Sequence, residues 1–86
     1  MKKRSSPDII ATILEAANGG IGKTKLLTKA NLTSAQFRKY IDHLLEKGLL
    51  AESDRGSRQH SYKTTALGLQ YLALYNSIKA ASYLNA

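Results

Sequence analysis

The four residues Thr33-Ser34-Ala35-Gln36 constrain this chain more than any others. They spell a capping box, in which a Thr hydroxyl accepts the backbone amide of the Gln and the Gln side chain reaches back to the Thr amide. That pairing predicts a helix that begins at Ser34 and excludes Thr33. Phe37, Ile41, Leu44 and Leu45 then recur at helical spacing and form a stripe for a core, with Tyr40 at its edge. At about 100° per residue, the opposite face holds Ala35, Gln36, Lys39, Asp42, His43 and Glu46, with Arg38 on a flank. Gly48 closes the helix, which is expected over residues 34–47.

The segments on either side of it have their own punctuation. A first helix is expected to begin at Ser6 or Pro7, where Ser caps, Pro fits the first helical position and Asp8 complements the dipole. Ile9, Ile10, Ile13, Leu14 and Ala17 form its buried face. Asn18-Gly19-Gly20 stops it, because Gly adopts the left-handed backbone that a helix end needs. A short helix follows from about Lys23 to Ala30, with Leu26, Leu27 and Ala30 on its apolar side and Leu32 plugging the core beyond it. After Gly48, Leu49-Leu50-Ala51-Glu52 reads as a strand and His60-Ser61-Tyr62-Lys63-Thr64 as its return, with Leu50 and Tyr62 pointing inward. Ser53 to Gln59 forms a turn-rich loop around Gly56, too long for a two-residue hairpin turn.

Thr65 is the expected cap of a last helix running towards Asn85. Fourteen of the twenty-one residues from Ala66 to Ala86 are apolar, more than one buried face needs. Leu67, Tyr71, Leu74, Ile78 and Ala81 follow alternating steps of four and three, a short coiled-coil seam with Tyr75 beside it. Leu69, Leu72, Ala73, Ala80 and Tyr83 lie largely on the other side. Such a helix needs two covers: its own domain and a second copy of the chain. A chain this short is marginal as a monomer, and dimerisation relieves that as well.

Composition sets the function class. The 86 residues make one small domain, and thirteen Lys and Arg against six Asp and Glu leave a net charge of +7. The last acid is Asp54; Arg55, Arg58, His60 and Lys63 follow it without acidic neighbours, and Lys79 is the one charge after residue 63. A cationic body with a nearly neutral, apolar tail suggests a polyanion contact in the first and a packing contact in the second. The absence of Cys excludes disulfides and thiolate zinc sites. His43 and His60 alone are a weak metal pair, and no metal or cofactor is expected. No apolar run is long enough for a signal peptide or a membrane span. A small domain without disulfide staples suits the cytosol, and a cytoplasmic, nucleoid-associated protein without a membrane or small-molecule partner is expected. Enzymatic activity is not expected, because so small a domain has little room for a deep catalytic pocket. Ala17-Asn18-Gly19-Gly20-Ile21-Gly22-Lys23-Thr24 resembles a P-loop with Ala in place of the first Gly. A P-loop, however, sits between a strand and a long helix within a parallel sheet. Here a helix precedes it, so the Lys-Thr pair is read as a contact for DNA phosphate.

The order helix, helix, helix, hairpin, helix is that of a winged helix-turn-helix domain, mainly α with a small β-hairpin (α+β). A basic flexible arm is expected over residues 1–5, the domain over 6–64 and the dimerisation helix over 65–86. Such a domain docks its second helix-turn-helix element, here the third helix, in the major groove of double-stranded DNA. Ser34, Ala35, Gln36, Arg38, Lys39 and His43 are the expected base-reading or nearby residues. Lys23, Thr24 and Lys25 at the start of the preceding helix are expected to hold a phosphate. Arg55, Ser57, Arg58, Gln59 and His60, on a wing over residues 53–60, are expected on the backbone or in the minor groove. Lys2, Lys3 and Arg4 form the arm.

Several short motifs carry a family likeness. Ile13-Leu14-Glu15-Ala16, Gly22-Lys23-Thr24-Lys25, Ala30-Asn31-Leu32-Thr33, Lys39-Tyr40-Ile41, Leu44-Leu45-Glu46-Lys47-Gly48-Leu49-Leu50 and Tyr62-Lys63-Thr64-Thr65 with Gly68 resemble the archaeal winged-helix transcriptional-regulator family. Thr33 stands where Ser is usual there, and Ile41 where Leu is usual. The resemblance spans nearly the whole chain. It implies DNA binding and, in some members, a homodimer built on the long last helix. It leaves open a sequence-specific regulator and an architectural, chromatin-like protein; a winged-helix protein-interaction module is a third alternative.

Overall fold

The computed structural model describes residues 5–54 and 60–84. Within them the chain runs α1 (Ser6–Ala16), β1 (Ile21–Gly22), α2 (Lys23–Ala30), α3 (Ser34–Glu46), β2 (Leu50–Asp54), β3 (His60–Thr64) and α4 (Ala66–Leu84). The capping box of α3 forms in both directions. The Gln36 amide donates to Thr33 Oγ1 at 3.2 Å, and the Thr33 amide donates to Gln36 Oε1 at 3.1 Å. Helix α3 stops at Glu46 with Lys47 as its cap, one residue short of the expected end. Helix α1 is capped by Ser5, whose hydroxyl accepts the Asp8 amide at 3.3 Å. The helix begins at Ser6, as expected, so Ser6 and Pro7 lie in its first turn and Ser5 is the cap. After α1 the chain turns through Gly19 and Gly20 at φ +93° and +103°, a backbone that favours glycine.

The sheet has three strands in the order β1-β3-β2, where the sequence suggested two. Ile21 pairs with Tyr62 and Gly22 with Ser61, antiparallel. This two-residue strand exists because the glycine turn delivers extended chain to the free edge of β3. Strand β2 begins at Leu50 and continues to Asp54, opposite His60, so Ser53 and Asp54 belong to the ladder rather than to the loop.

One core joins these elements. Ile13, Leu14, Leu26 and Leu44 are fully buried at its centre, and Leu32, Leu50 and Tyr62 point into it. Phe37 of α3 meets Tyr62 of β3 edge to face, with centroids 6.0 Å apart. Helix α4 is tied on by Thr65: its hydroxyl accepts the Gly68 amide at 3.1 Å and donates to the Gly48 carbonyl at 2.6 Å. Leu72 enters the core at 8% exposure, while Leu74 and Ile78 remain 63% and 59% exposed. Tyr71 and Tyr75 are half-buried and stacked, and the Tyr75 hydroxyl donates to Asp8 of α1. Helix α4 thus covers its own domain with one face and leaves another apolar face bare. Among the described residues no helix is long and apolar enough to cross a membrane.

Candidate nucleic-acid interface

Helix α3 presents Ser34, Ala35, Gln36, Arg38, Lys39 and His43 as exposed side chains, because Phe37, Ile41 and Leu44 anchor its other side. Gln36 differs from the rest: its side-chain oxygen already serves the capping box. An amide oxygen has a second lone pair and the amide nitrogen has two protons to give, so Gln36 retains hydrogen-bonding capacity while held at the helix start.

Helix α2 begins at Lys23 immediately after the β1 strand, with Gly22 as a cap that offers no side-chain acceptor. Its first amides therefore lack a side-chain partner, and an anion is favoured there by the amides and the helix dipole together. Lys23, Thr24 and Lys25 are all exposed at this end.

The sheet brings these residues against the base of the hairpin. A groove of about 910 Å³ runs between the Gly19–Gly22 turn, the Lys23-Thr24-Lys25 start of α2, and Ser53, His60, Ser61 and Lys63 of the strands. A smaller cleft of about 190 Å³ adjoins α3 and is lined by Lys23, Ser34, Arg38, Asp42 and Tyr62, among others. Lys23 lines both, so the groove beside β3 and the cleft beside α3 share a cation.

Two acids moderate this charge. Glu52 Oε2 lies 3.2 Å from His60 Nδ1. Tyr62 hydrogen-bonds the same carboxylate; burial first, and then the Glu52 charge, push its phenol above the ordinary range. Asp42 lies in the smaller cleft beside Arg38.

Ser61 and residues 19–22 were not among the sequence-derived site residues, and Lys63 entered only as the end of the cationic run after Asp54. Strand alternation carried the signal for two of them: with Tyr62 inward, Ser61 and Lys63 take the opposite face. The turn was legible only as a helix stop, because its place beside β3 depends on the unexpected β1 pairing. Lys2, Lys3 and Arg4 of the arm, and Arg55, Ser57, Arg58 and Gln59 of the wing, lie outside the described residues.

The expected dimer residues divide into two groups. Leu67, Leu74, Ile78 and Ala81 are exposed. Tyr71 and Tyr75 are half-buried, and with Pro7 and Asp8 of α1 they border an apolar cleft of about 450 Å³ that Leu74 and Ile78 complete.

Residues 3–82 match the sequence profile of a family described as winged helix-turn-helix. No curated protein sequence matches the chain. Among solved structures it is similar to Sso10a-2, a DNA-binding protein from Sulfolobus solfataricus, with a TM-score of 0.83 and 23% identity over 95% of this chain and 86% of that one. It is also similar to NadR, solved with 4-hydroxyphenylacetate, at a TM-score of 0.70 and 17% identity over 95% of this chain and 63% of that one. A further likeness is to the PcaV transcriptional regulator from Streptomyces coelicolor, solved with its natural ligand, at a TM-score of 0.67 and 20% identity over 94% of this chain and 64% of that one. The chain spans less than two thirds of the length of NadR and of PcaV. These structures share its fold.

Proposed function

The chain belongs to the winged helix-turn-helix family, and from that premise we propose that it binds double-stranded DNA sequence-specifically and regulates transcription. One observation carries the reading: Lys23 lines both the groove at the base of the hairpin and the cleft beside α3, so Lys25, Lys63 and Arg38, from three separate elements, border two clefts that it joins. Phosphates lie along the groove against Lys23, Thr24, Lys25, His60 and Lys63. Helix α3 enters the major groove and reads bases with Lys39, Arg38 and Gln36, with His43 further along. The wing residues Arg55, Ser57, Arg58 and Gln59 and the arm residues Lys2, Lys3 and Arg4 add backbone contacts. The mechanism is occupancy, without chemistry, in the cytoplasm on the nucleoid. A described DNA-binding protein of similar fold, Sso10a-2, supports the reading.

The functional unit is a homodimer through α4. Exposed Leu67, Leu74 and Ile78 make a stripe that a second copy covers. Sedimentation should show twice the 9.4 kDa chain mass, and polar substitution of Leu74 and Ile78 together should release monomer. A wild-type monomer at high micromolar concentration overturns the dimer.

The capping duty of Gln36 favours a second reading, an architectural protein indifferent to sequence, because it ties one base-reading candidate to the helix start. Binding to a duplex selected from a random library, compared with a scrambled duplex, separates the two. A ratio of about 10³ or more supports the regulator, and a ratio near one supports the architectural protein. Absence of binding to either duplex leaves a protein-interaction module.

A further inference from the structure

The His60 imidazole meets the Glu52 carboxylate at the rim of the cationic groove, and no sequence motif anticipates the contact. The pair joins the two strands of the hairpin diagonally, since Glu52 is opposite Tyr62 and His60 is opposite Asp54. Glu52 engages His60 Nδ1 at 3.2 Å and is fixed from a second side by the Tyr62 hydroxyl. Nδ1 is therefore committed to the carboxylate, and Nε2 is the ring nitrogen left for another partner. His60 lines the same groove as Lys23 and Lys25 of α2 and Lys63 of its own strand. Arg38 and Asp42 of α3 act on the neighbouring Tyr62.

We propose that Glu52 is a positioning residue that holds His60 as a proton-linked contact to a DNA phosphate, so that binding takes up a proton. The inference rests on the DNA reading above. An imidazole that donates from Nδ1 to a carboxylate and from Nε2 to a phosphate carries both protons and is therefore cationic. In the free protein Glu52 lies 3.2 Å from it and Asp54 is its opposite residue on β2, while Lys23 and Lys25 line the same groove and oppose a further positive charge. A phosphate in the groove adds a further anion and neutralises those lysines. Both changes favour the imidazolium. By linkage, affinity then rises as pH falls through the range in which imidazoles titrate. Glu52 thus has a role opposite to its sign: an acid beside a polyanion site that makes the site more cationic when occupied.

The test is fluorescence anisotropy with a duplex of about 30 base pairs at fixed salt from pH 5.5 to 8, together with calorimetry in two buffers of different ionisation enthalpy. Affinity should rise on acidification by up to about tenfold per pH unit for each protomer bound, and calorimetry should show up to about one proton taken up per protomer. His60→Gln should flatten the profile. Glu52→Gln should reduce the proton uptake, because the imidazolium loses the carboxylate that holds it. His43→Gln, which removes the other imidazole, should keep the rise. Tight binding with no proton uptake, or a rise that survives His60→Gln and disappears in His43→Gln, overturns the inference and leaves the DNA reading standing. No binding at any pH overturns both.

Discussion

The Thr64 hydroxyl donates to the Leu14 carbonyl at 2.5 Å, across fifty residues of sequence and inside the core. Leu14 stands in the last turn of α1, where carbonyls lose their helical partners. The Thr64 amide also donates to the Ala17 carbonyl at 3.1 Å. The last residue of the hairpin thereby closes the end of the first helix. Thr64→Val keeps the shape but strands a buried carbonyl, so it should destabilise the domain by about 1–3 kcal/mol. Chemical denaturation checks this, and an unchanged midpoint contradicts it.

Gly68 marks the other junction. A Cβ built there would stand 2.3 Å from the Leu49 carbonyl oxygen and 2.6 Å from Thr64 Cγ2. The first neighbour is backbone and cannot swing aside. Gly68→Ala should therefore lever α4 away from the hairpin and destabilise by about 1–3 kcal/mol, although alanine is the better helix former. Gly22→Ala is the contrast: it meets nothing within 4 Å, and its φ of −74° suits any residue. Thermal melts of both variants should separate them.

The Tyr75–Asp8 bond gives α4 a pH signature. Asp8 is held below the ordinary aspartate value of 3.8, first by the Tyr75 hydroxyl and then by Ser5. Tyr75 is pushed above the ordinary 10.0, chiefly by the same bond. A lowered carboxylate contributes stability that is present above 3.8 and lost as pH falls through the folded value. A raised phenol contributes stability that is present below 10.0 and lost as pH rises through its folded value. Solvent screening keeps both effects small. Tyr75→Phe should therefore reduce stability between these limits and remove this part of the pH dependence at each end. Melting temperatures from pH 2.5 to 11 test it; parallel profiles for the two proteins contradict it.

Much of this architecture was legible because its signals are local. The capping box needs only Thr33 and Gln36, three residues apart. The bounds of α2 and β3 follow from nearby glycines and the spacing of apolar residues. What was not legible depends on partners far along the chain. Ile21 and Gly22 become a strand only because Tyr62 and Ser61 lie beside them. The half-burial of Tyr71 and Tyr75 against α1 follows from packing across more than sixty residues, which a seam pattern in α4 alone does not encode. Ser5 and Ser6 are chemically alike as caps, and the geometry of the first turn decides between them. The expected site residues on α2 and α3 are exposed, but the groove that gathers those of α2 with Lys63 and His60 required the third strand.

Groove and helix substitutions should have different consequences. Lys23→Ala and Lys63→Ala should weaken binding to all sequences and reduce the salt slope by about one each. Lys39→Ala should cost about 1–3 kcal/mol on a selected site and relax the sequence preference there. Equal losses on selected and scrambled duplexes for Lys39→Ala would remove α3 from base reading.

On the proposed function, DNA phosphates contact the protein from the hairpin base to α3. Anisotropy binding to a generic duplex of about 30 base pairs at ~50 and ~200 mM salt tests it most directly. Six to ten phosphate contacts per dimer predict a slope of roughly −5 to −9 and a loss of about 10³–10⁵ in affinity between those two salt concentrations. Binding that is absent at the lower salt, or unchanged at the higher, would contradict it and turn attention to the bare apolar face of α4.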